Sequence, residues 1–286
     1  MALDKLVDST KLDAALTYTA DRIRLKTGGS ADLDFDYEGG TGFGDDVDAI
    51  PTGGGGITPD QFYGKSGDAF SVEFNDLTEF RNRSPFYFNT KITSLESDSI
   101  TWVENNTFRG CSNLESIDLP NCTKIGLANA SGMDSYSFAA CPKLVSFNLP
   151  KLTNINGIYN FENCGTANNK ALIVLPAIVE LGWQTFRLAN FSAVDLGPSL
   201  TQIRGKTFSG GGSFDNVILR STSLVEALSE DAIAGISNIY VPSTLSASYS
   251  SASNWSAMVS GGTLIVHEIE GSYYETHYAD GTLIPT

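Results

Sequence analysis

Few residues in this chain are able to do chemistry, and their spacing is unusual. Cys111, Cys141 and Cys164 each stand three positions after a phenylalanine: Phe108, Phe138 and Phe161. A cysteine nucleophile needs an imidazole beside it to hold the thiolate. The two histidines, His267 and His277, both lie near the C-terminus, far along the chain from these thiols. A zinc site needs four converging ligands, and the chain has no C-x-x-C pair. Three thiols in one phase are therefore read as small apolar side chains packed inside the fold. Cys122 falls out of that phase and receives no role.

The carboxylates invite three further readings. "DLDFDYEGG", residues 32–40, looks superficially like a calcium loop. A calcium-binding EF-hand starting at Asp32 requires glycine in sixth place and glutamate in twelfth. The chain has Tyr37 and Phe43 there, so an acidic, solvated strand face fits better, and calcium at residues 32–38 is left open. "GGTGFGDD" is rich in glycine, but Asp45 and Asp46 would repel a phosphate, so it reads as a loop. Carboxylate pairs suited to glycoside cleavage occur in any acidic protein and single out no site here. No catalytic residue, metal ligand or cofactor is assigned, and the chain is expected not to be an enzyme.

The elements that hold these residues repeat. "CSNLESIDLP" (residues 111–120) returns as "CPKLVSFNLP" (141–150) with the same apolar skeleton and different polar residues. The framework apolar-x-x-apolar-x-apolar occurs as Leu114/Ile117/Leu119 and Leu144/Phe147/Leu149. It occurs again as Phe191/Val194/Leu196, Phe214/Val217/Leu219 and Ile236/Ile239/Val241. A weaker copy, Ile173/Leu175, has Lys170 in the first place. The last positions are separated by 30, 26, 21, 23 and 22 residues, and the insertion "GLANASGMDSY" accounts for the longest interval. Between copies runs a second pattern, two apolar residues and then Phe-x-x-Cys; Ala189 and Gly211 replace the cysteine in later coils.

A period of this length predicts a solenoid. Each coil is too small to bury its own apolar face and does so against its neighbours. Inward positions must stay apolar, while outward ones are free to vary. Strands of successive coils should stack about 4.8 Å apart, so six copies span roughly 25 Å.

The residues between the last two framework positions must point outward, because side chains alternate along a strand. They are Asp118, Asn148, Val174, Asp195, Ile218 and Tyr240, expected as one ladder on one face and the candidate binding surface. Trp102 and Trp183 could stack on sugar rings, but each adjoins core positions, so buried packing is expected.

Around the solenoid, residues 1–50 read as a head, with an amphipathic helix on Leu12, Ala15, Leu16, Thr19 and Ile23 followed by a short strand. Residues 51–59 read as a glycine-rich linker, 60–260 as the solenoid and 261–286 as a strand and hairpin tail turning at Asp280-Gly281. Leu245, Tyr249 and Trp255 are placed to cover the last coil. The net charge of −15 argues against nucleic acid and anionic membrane surfaces as partners. Asp4, Asp8 and Asp13 interrupt what a signal peptide would keep apolar, so cytoplasmic synthesis without export is expected.

The Leu-x-x-Ile-x-Leu-Pro framework with Phe-x-x-Cys resembles the BspA-like leucine-rich repeats. The ending "NIYVPSTLSASYSSASNWSAMVSG" is similar to that family's terminal repeat. This implies a mostly β, α+β solenoid with short strands stacked coil on coil. The head is similar to an N-terminal segment of virion and tail-associated proteins of phages and prophages of Gram-positive hosts. The resemblance rests on Leu12, Asp13, Ile23, Arg24, Lys26, Gly28, Gly29, Ser30 and Ala31. It implies a phage structural protein of the tail, baseplate or head fibre, assembled in the host cytoplasm and resident in the virion. Leu12, Leu16, Ile23 and Arg24 would then dock to other virion proteins, homo-oligomerisation is expected, and the repeats would meet a host-surface glycan or protein. The alternatives are a bacterial cell-surface adhesin-like binding protein or a polysaccharide-degrading tail enzyme.

Overall fold

The computed structural model describes residues 69–73, 78–80, 86–127 and 133–269. The expected N-terminal helix, the acidic strand, the linker and the hairpin at Asp280-Gly281 lie outside them.

Each coil contributes one strand to each of two sides. On the first side lie β1 (Phe70–Glu73), β3 (Ile92–Glu96), β5 (Ser116–Asp118) and β7 (Ser146–Asn148), paired in parallel. The same side continues with β9 (Ala171–Leu175), β11 (Asn190–Leu196), β13 (Ser213–Leu219), β15 (Ile236–Val241) and β16 (Ile265–Glu268) as a second parallel sheet. The other side carries β2 (Glu79–Phe80), β4 (Trp102–Val103), β6 (Lys124–Gly126), β8 (Asn154–Asn156) and β10 (Glu180–Leu181). A pair, β12 (Gln202–Ile203) and β14 (Glu226–Ala227), completes it.

The core is continuous, as a stack of mutually dependent coils requires. One apolar cluster runs from Phe70 to Leu264 and includes nearly every framework residue. Phe147 departs from expectation: it is only half-buried, with its ring against Phe161 and Phe191. The weak copy is also resolved differently. β11 carries a bulge between Phe191 and Ala193, so Ala171 lies opposite Phe191 and fills the first core position. Lys170 stands outside and pairs with Asp215.

The third side of each coil is a turn built on the repeating phenylalanine. Phe86, Phe108, Phe138, Phe161, Phe186 and Phe208 form one column, with successive ring centroids 5.3–5.8 Å apart. Two residues before and two after each of the last five, the backbone has positive φ: Tyr136 (55°) and Ala140 (57°) flank Phe138, and Gln184 (52°) and Leu188 (59°) flank Phe186. A left-handed conformation costs an ordinary residue about 1–2 kcal/mol. Here it aims each phenylalanine N–H at the next coil, as in Phe138 N to Asn160 O (2.8 Å) and Phe161 N to Thr185 O (2.8 Å). The repeated inter-coil hydrogen bond offsets the local cost.

The last coil is capped by α1 (Ser246–Ser251) and α2 (Trp255–Ser260). Tyr249 and Trp255 are fully buried and meet the polar edge of β14: Val225 N–H donates to the Tyr249 hydroxyl (3.0 Å), and Trp255 Nε1 donates to Val225 O (2.9 Å). Leu245 is half-buried at this end, as expected. Beyond the cap, β16 adds one more parallel strand beside β15.

Candidate functional site

The thiols belong to the packing. Cys111, Cys141 and Cys164 are fully buried, and each Sγ–H donates to the phenylalanine carbonyl of the preceding coil: Phe86 (3.0 Å), Phe108 (3.2 Å) and Phe138 (3.3 Å). Burial raises the pKa of Cys111 and Cys164 well above that of a free thiol. Burial also pushes Cys122 up to about 12, with its Sγ–H on Lys124 O (3.4 Å). A thiol held neutral is a poor nucleophile. Among the described residues no group of three or more His, Cys, Asp and Glu is placed to hold a metal ion.

The outward ladder is aligned in two runs. Glu96, Asp118 and Asn148 follow one another across β3, β5 and β7. Val174, Asp195, Ile218, Tyr240 and His267 do so across β9 to β16. Their access to solvent differs sharply. Glu96, Asp118 and Asn148 are exposed, and Asn148 Nδ2 donates to Asp118 Oδ1 at 2.7 Å. A second column, Ser71, Ser94, Ser116 and Ser146, runs beside them.

In the second run only Val174 and His267 keep partial exposure; Asp195 (1%), Ile218 (2%) and Tyr240 (6%) are buried. This corrects the reading of the ladder as one continuous accessible face. Ala193, Ile218 and Tyr240 form a second apolar cluster on the outside of the sheet, with Leu172, Val174 and Ile269 packed against it. Asp195 accepts two hydrogen bonds from Arg220, from Nε (2.7 Å) and Nη2 (2.8 Å). Tyr240 stacks on His267 with centroids 4.7 Å apart, and His267 Nε2 meets Asn238 Oδ1 at 3.0 Å. Burial lowers the His267 pKa below that of a free imidazole. The attachment residues Leu12, Leu16, Ile23 and Arg24 lie outside the described residues, as does His277.

The two tryptophans on the β2–β14 side part company. Trp102 is half-buried, donates from Nε1 to Gly126 O (2.7 Å) and carries Lys124 Nζ over its ring at 4.6 Å. Trp183 is 45% exposed, against the expected buried packing. It sits two residues past β10, where the inward alternation has ended, and its six-membered ring lies over Gly205 of the next coil.

Parallel strands stacked coil on coil over one phenylalanine-lined core define a leucine-rich-repeat solenoid. The chain belongs to the family described as BspA type Leucine rich repeat region, which matches in six copies over residues 50–167 and 131–256. Residues 1–49, which carry most of the likeness to virion proteins, fall outside that match. One similar solved structure is a leucine rich cell surface protein from Faecalibacterium prausnitzii A2-165. It is 12% identical, with 76% of this chain and 91% of that chain covered and a TM-score of 0.20. No curated protein matches the chain.

Proposed function

We propose that this chain is a non-enzymatic recognition protein. Its solenoid holds the exposed Glu96–Asp118–Asn148 strip and the adjoining serines against a partner on a cell surface, in the manner of an adhesin. The observation that carries this reading is the register of Glu96 with Asp118, two exposed carboxylates directly opposite on neighbouring strands. Like charges so placed weaken a sheet. A partner bringing positive charge or hydrogen-bond donors would relieve that repulsion, and this strip would select such a partner. Glu96→Lys with Asp118→Lys should abolish adsorption of the purified chain to Gram-positive cells while leaving its unfolding midpoint unchanged. Adsorption at the wild-type level would remove this strip from the reading.

The Leu12-to-Ala31 motif favours a second reading of where the solenoid is carried, on a phage particle as part of the tail, baseplate or head fibre. Leu16→Asp with Ile23→Asp should then keep the chain out of assembled particles. Incorporation at normal levels, measured by mass spectrometry of purified virions, would end the virion reading.

A further inference from the structure

The β2–β14 side becomes more apolar toward its C-terminal end. Val179 (47% exposed), Trp183 (45%) and Leu228 (43%) all stand outside the core there. They do not form one greasy patch. The middle strand, β12, places polar side chains between them, because Ile203 points into the core and its neighbours Gln202 and Arg204 do not. Arg204 forms an ion pair with Glu180 of the previous coil. Its Nε is covered and has no acceptor, which leaves the guanidinium under-satisfied. The coil that follows Trp183 offers glycine beneath the ring: a Cβ on Gly205 would come within 3.1 Å of Trp183 Cζ3. The indole therefore rests on bare backbone, one residue along the chain from Arg204, whose guanidinium is paired with Glu180.

Apolar surface interleaved with planar hydrogen-bonding groups suits one class of ligand better than others. A pyranose ring has a C–H face that packs on an indole and a rim of hydroxyls that donate to a carboxylate and accept from an amide or guanidinium. An apolar peptide would bury the Gln202 amide and leave Arg204 Nε still without an acceptor, at a cost. A polyanion would meet the field of a chain carrying −15. We infer that the exposed face of Trp183, packed by its other side on Gly205, is a binding site for a neutral or amino sugar, with the Glu180–Arg204 pair and Gln202 on the same side of the coils to meet its hydroxyls. It lies on a different side of the coil from the Asp118 strip and does not depend on it.

The chain's own fluorescence can test this. Trp255 is fully buried and Trp102 half-buried, so acrylamide quenching reports mainly on Trp183. The full chain is titrated with glucose, galactose, rhamnose, glucosamine, N-acetylglucosamine and their disaccharides, followed by quenching and calorimetry. At least one sugar should protect the fluorescence. Trp183→Ala, which also removes the reporter, should weaken binding measured by calorimetry roughly tenfold, the upper range for one aromatic contact. Trp183→Phe should retain most of the affinity, and both variants should unfold at the wild-type midpoint because the side chain is on the surface. The glutamate and aspartate reversals at 96 and 118 should leave sugar binding unchanged. If no sugar in the panel protects the fluorescence, or if Trp183→Ala binds as wild type does, the site is refuted, whatever becomes of the adsorption experiment.

Discussion

The outward face of the first side is built in two ways along a single stack. From β1 to β7 its outward residues are serines, acids and an asparagine open to solvent. From β9 to β15 the same positions hold Leu172, Val174, Ala193, Ile218 and Tyr240, which pack as a second cluster, alongside Asp195, Asn216 and Asn238. The strands lengthen, from 3–5 residues in β1 to β7 to 5–7 residues in β9 to β15, while the inward core runs continuously through both halves. The character of the outward residues changes with them. A solenoid can therefore use the same outward positions for recognition in one stretch and for stability in another, and substitutions should tell the two apart.

The largest contrast is between the two carboxylates at equivalent ladder positions. Asp195 is buried and held by Arg220, whereas Asp118 is exposed with Asn148 as its partner. Removing one member of a buried ion pair strands the other charge and costs about 3–5 kcal/mol. Arg220→Ala should therefore lower unfolding stability in urea by about that amount. Asn148→Ala, the corresponding loss beside Asp118, should change it by under about 0.5 kcal/mol. Equal effects would mean that the halves do not differ as described.

The apolar contrast comes next. Ile218→Ala should cost about 2–4 kcal/mol, as for a core aliphatic, although Ile218 lies on the outside of the sheet. Ser146→Ala, at an outward position of β7 in the adjacent column, should stay within about 0.5 kcal/mol. Both are read from the same urea titrations.

A third contrast is with pH. Burial depresses the His267 pKa, so as pH falls below about 6.5 the unfolded chain takes up the proton first. The stability contributed by neutral His267 is fully present above that pH and is lost as the pH drops toward the depressed folded value. Hydrogen exchange should show β15 and β16 opening more readily at pH 5 than at pH 7, with β3 to β7 changing less. His267→Gln should flatten that dependence.

Much of this architecture was legible in the residues themselves. The framework Leu114/Ile117/Leu119 and its copies mark the inward face because a period-two strand and a coil-long repeat leave no other place for them. The in-phase thiols and the capping pair Tyr249 and Trp255 were legible for the same reason. Three things were hidden, and each depends on a neighbouring coil rather than on local pattern. The bulge at Ser192 shifts β11 by one residue, so Ala171 and not Lys170 fills the core position. The left-handed turns at Tyr136 and Leu188 carry no glycine to announce them, because inter-coil hydrogen bonds enforce them. The exposure of Trp183 follows from Gly205, a coil later in the chain. Val174, Ile218 and Tyr240 did signal apolar outward positions. The matching Leu172 and Ala193 in the adjacent column, which turn them into a cluster, were the signal missed.

The smallest effect separates the halves by sign. Glu96 and Asp118 oppose each other in register and repel, so removing one charge should stabilise the fold. Asp118→Asn should gain about 0.2–0.5 kcal/mol at low ionic strength. Because both groups are exposed, about 1 M salt, with a Debye length near 3 Å, should screen the repulsion and erase the gain. Asp195 is buried beside a partly exposed Arg220, so most of the penalty of Arg220→Ala should survive the same salt. A gain for Asp118→Asn that persists in high salt would point to packing rather than repulsion, and would remove the electrostatic reason for expecting a cationic or donor-rich partner at this strip.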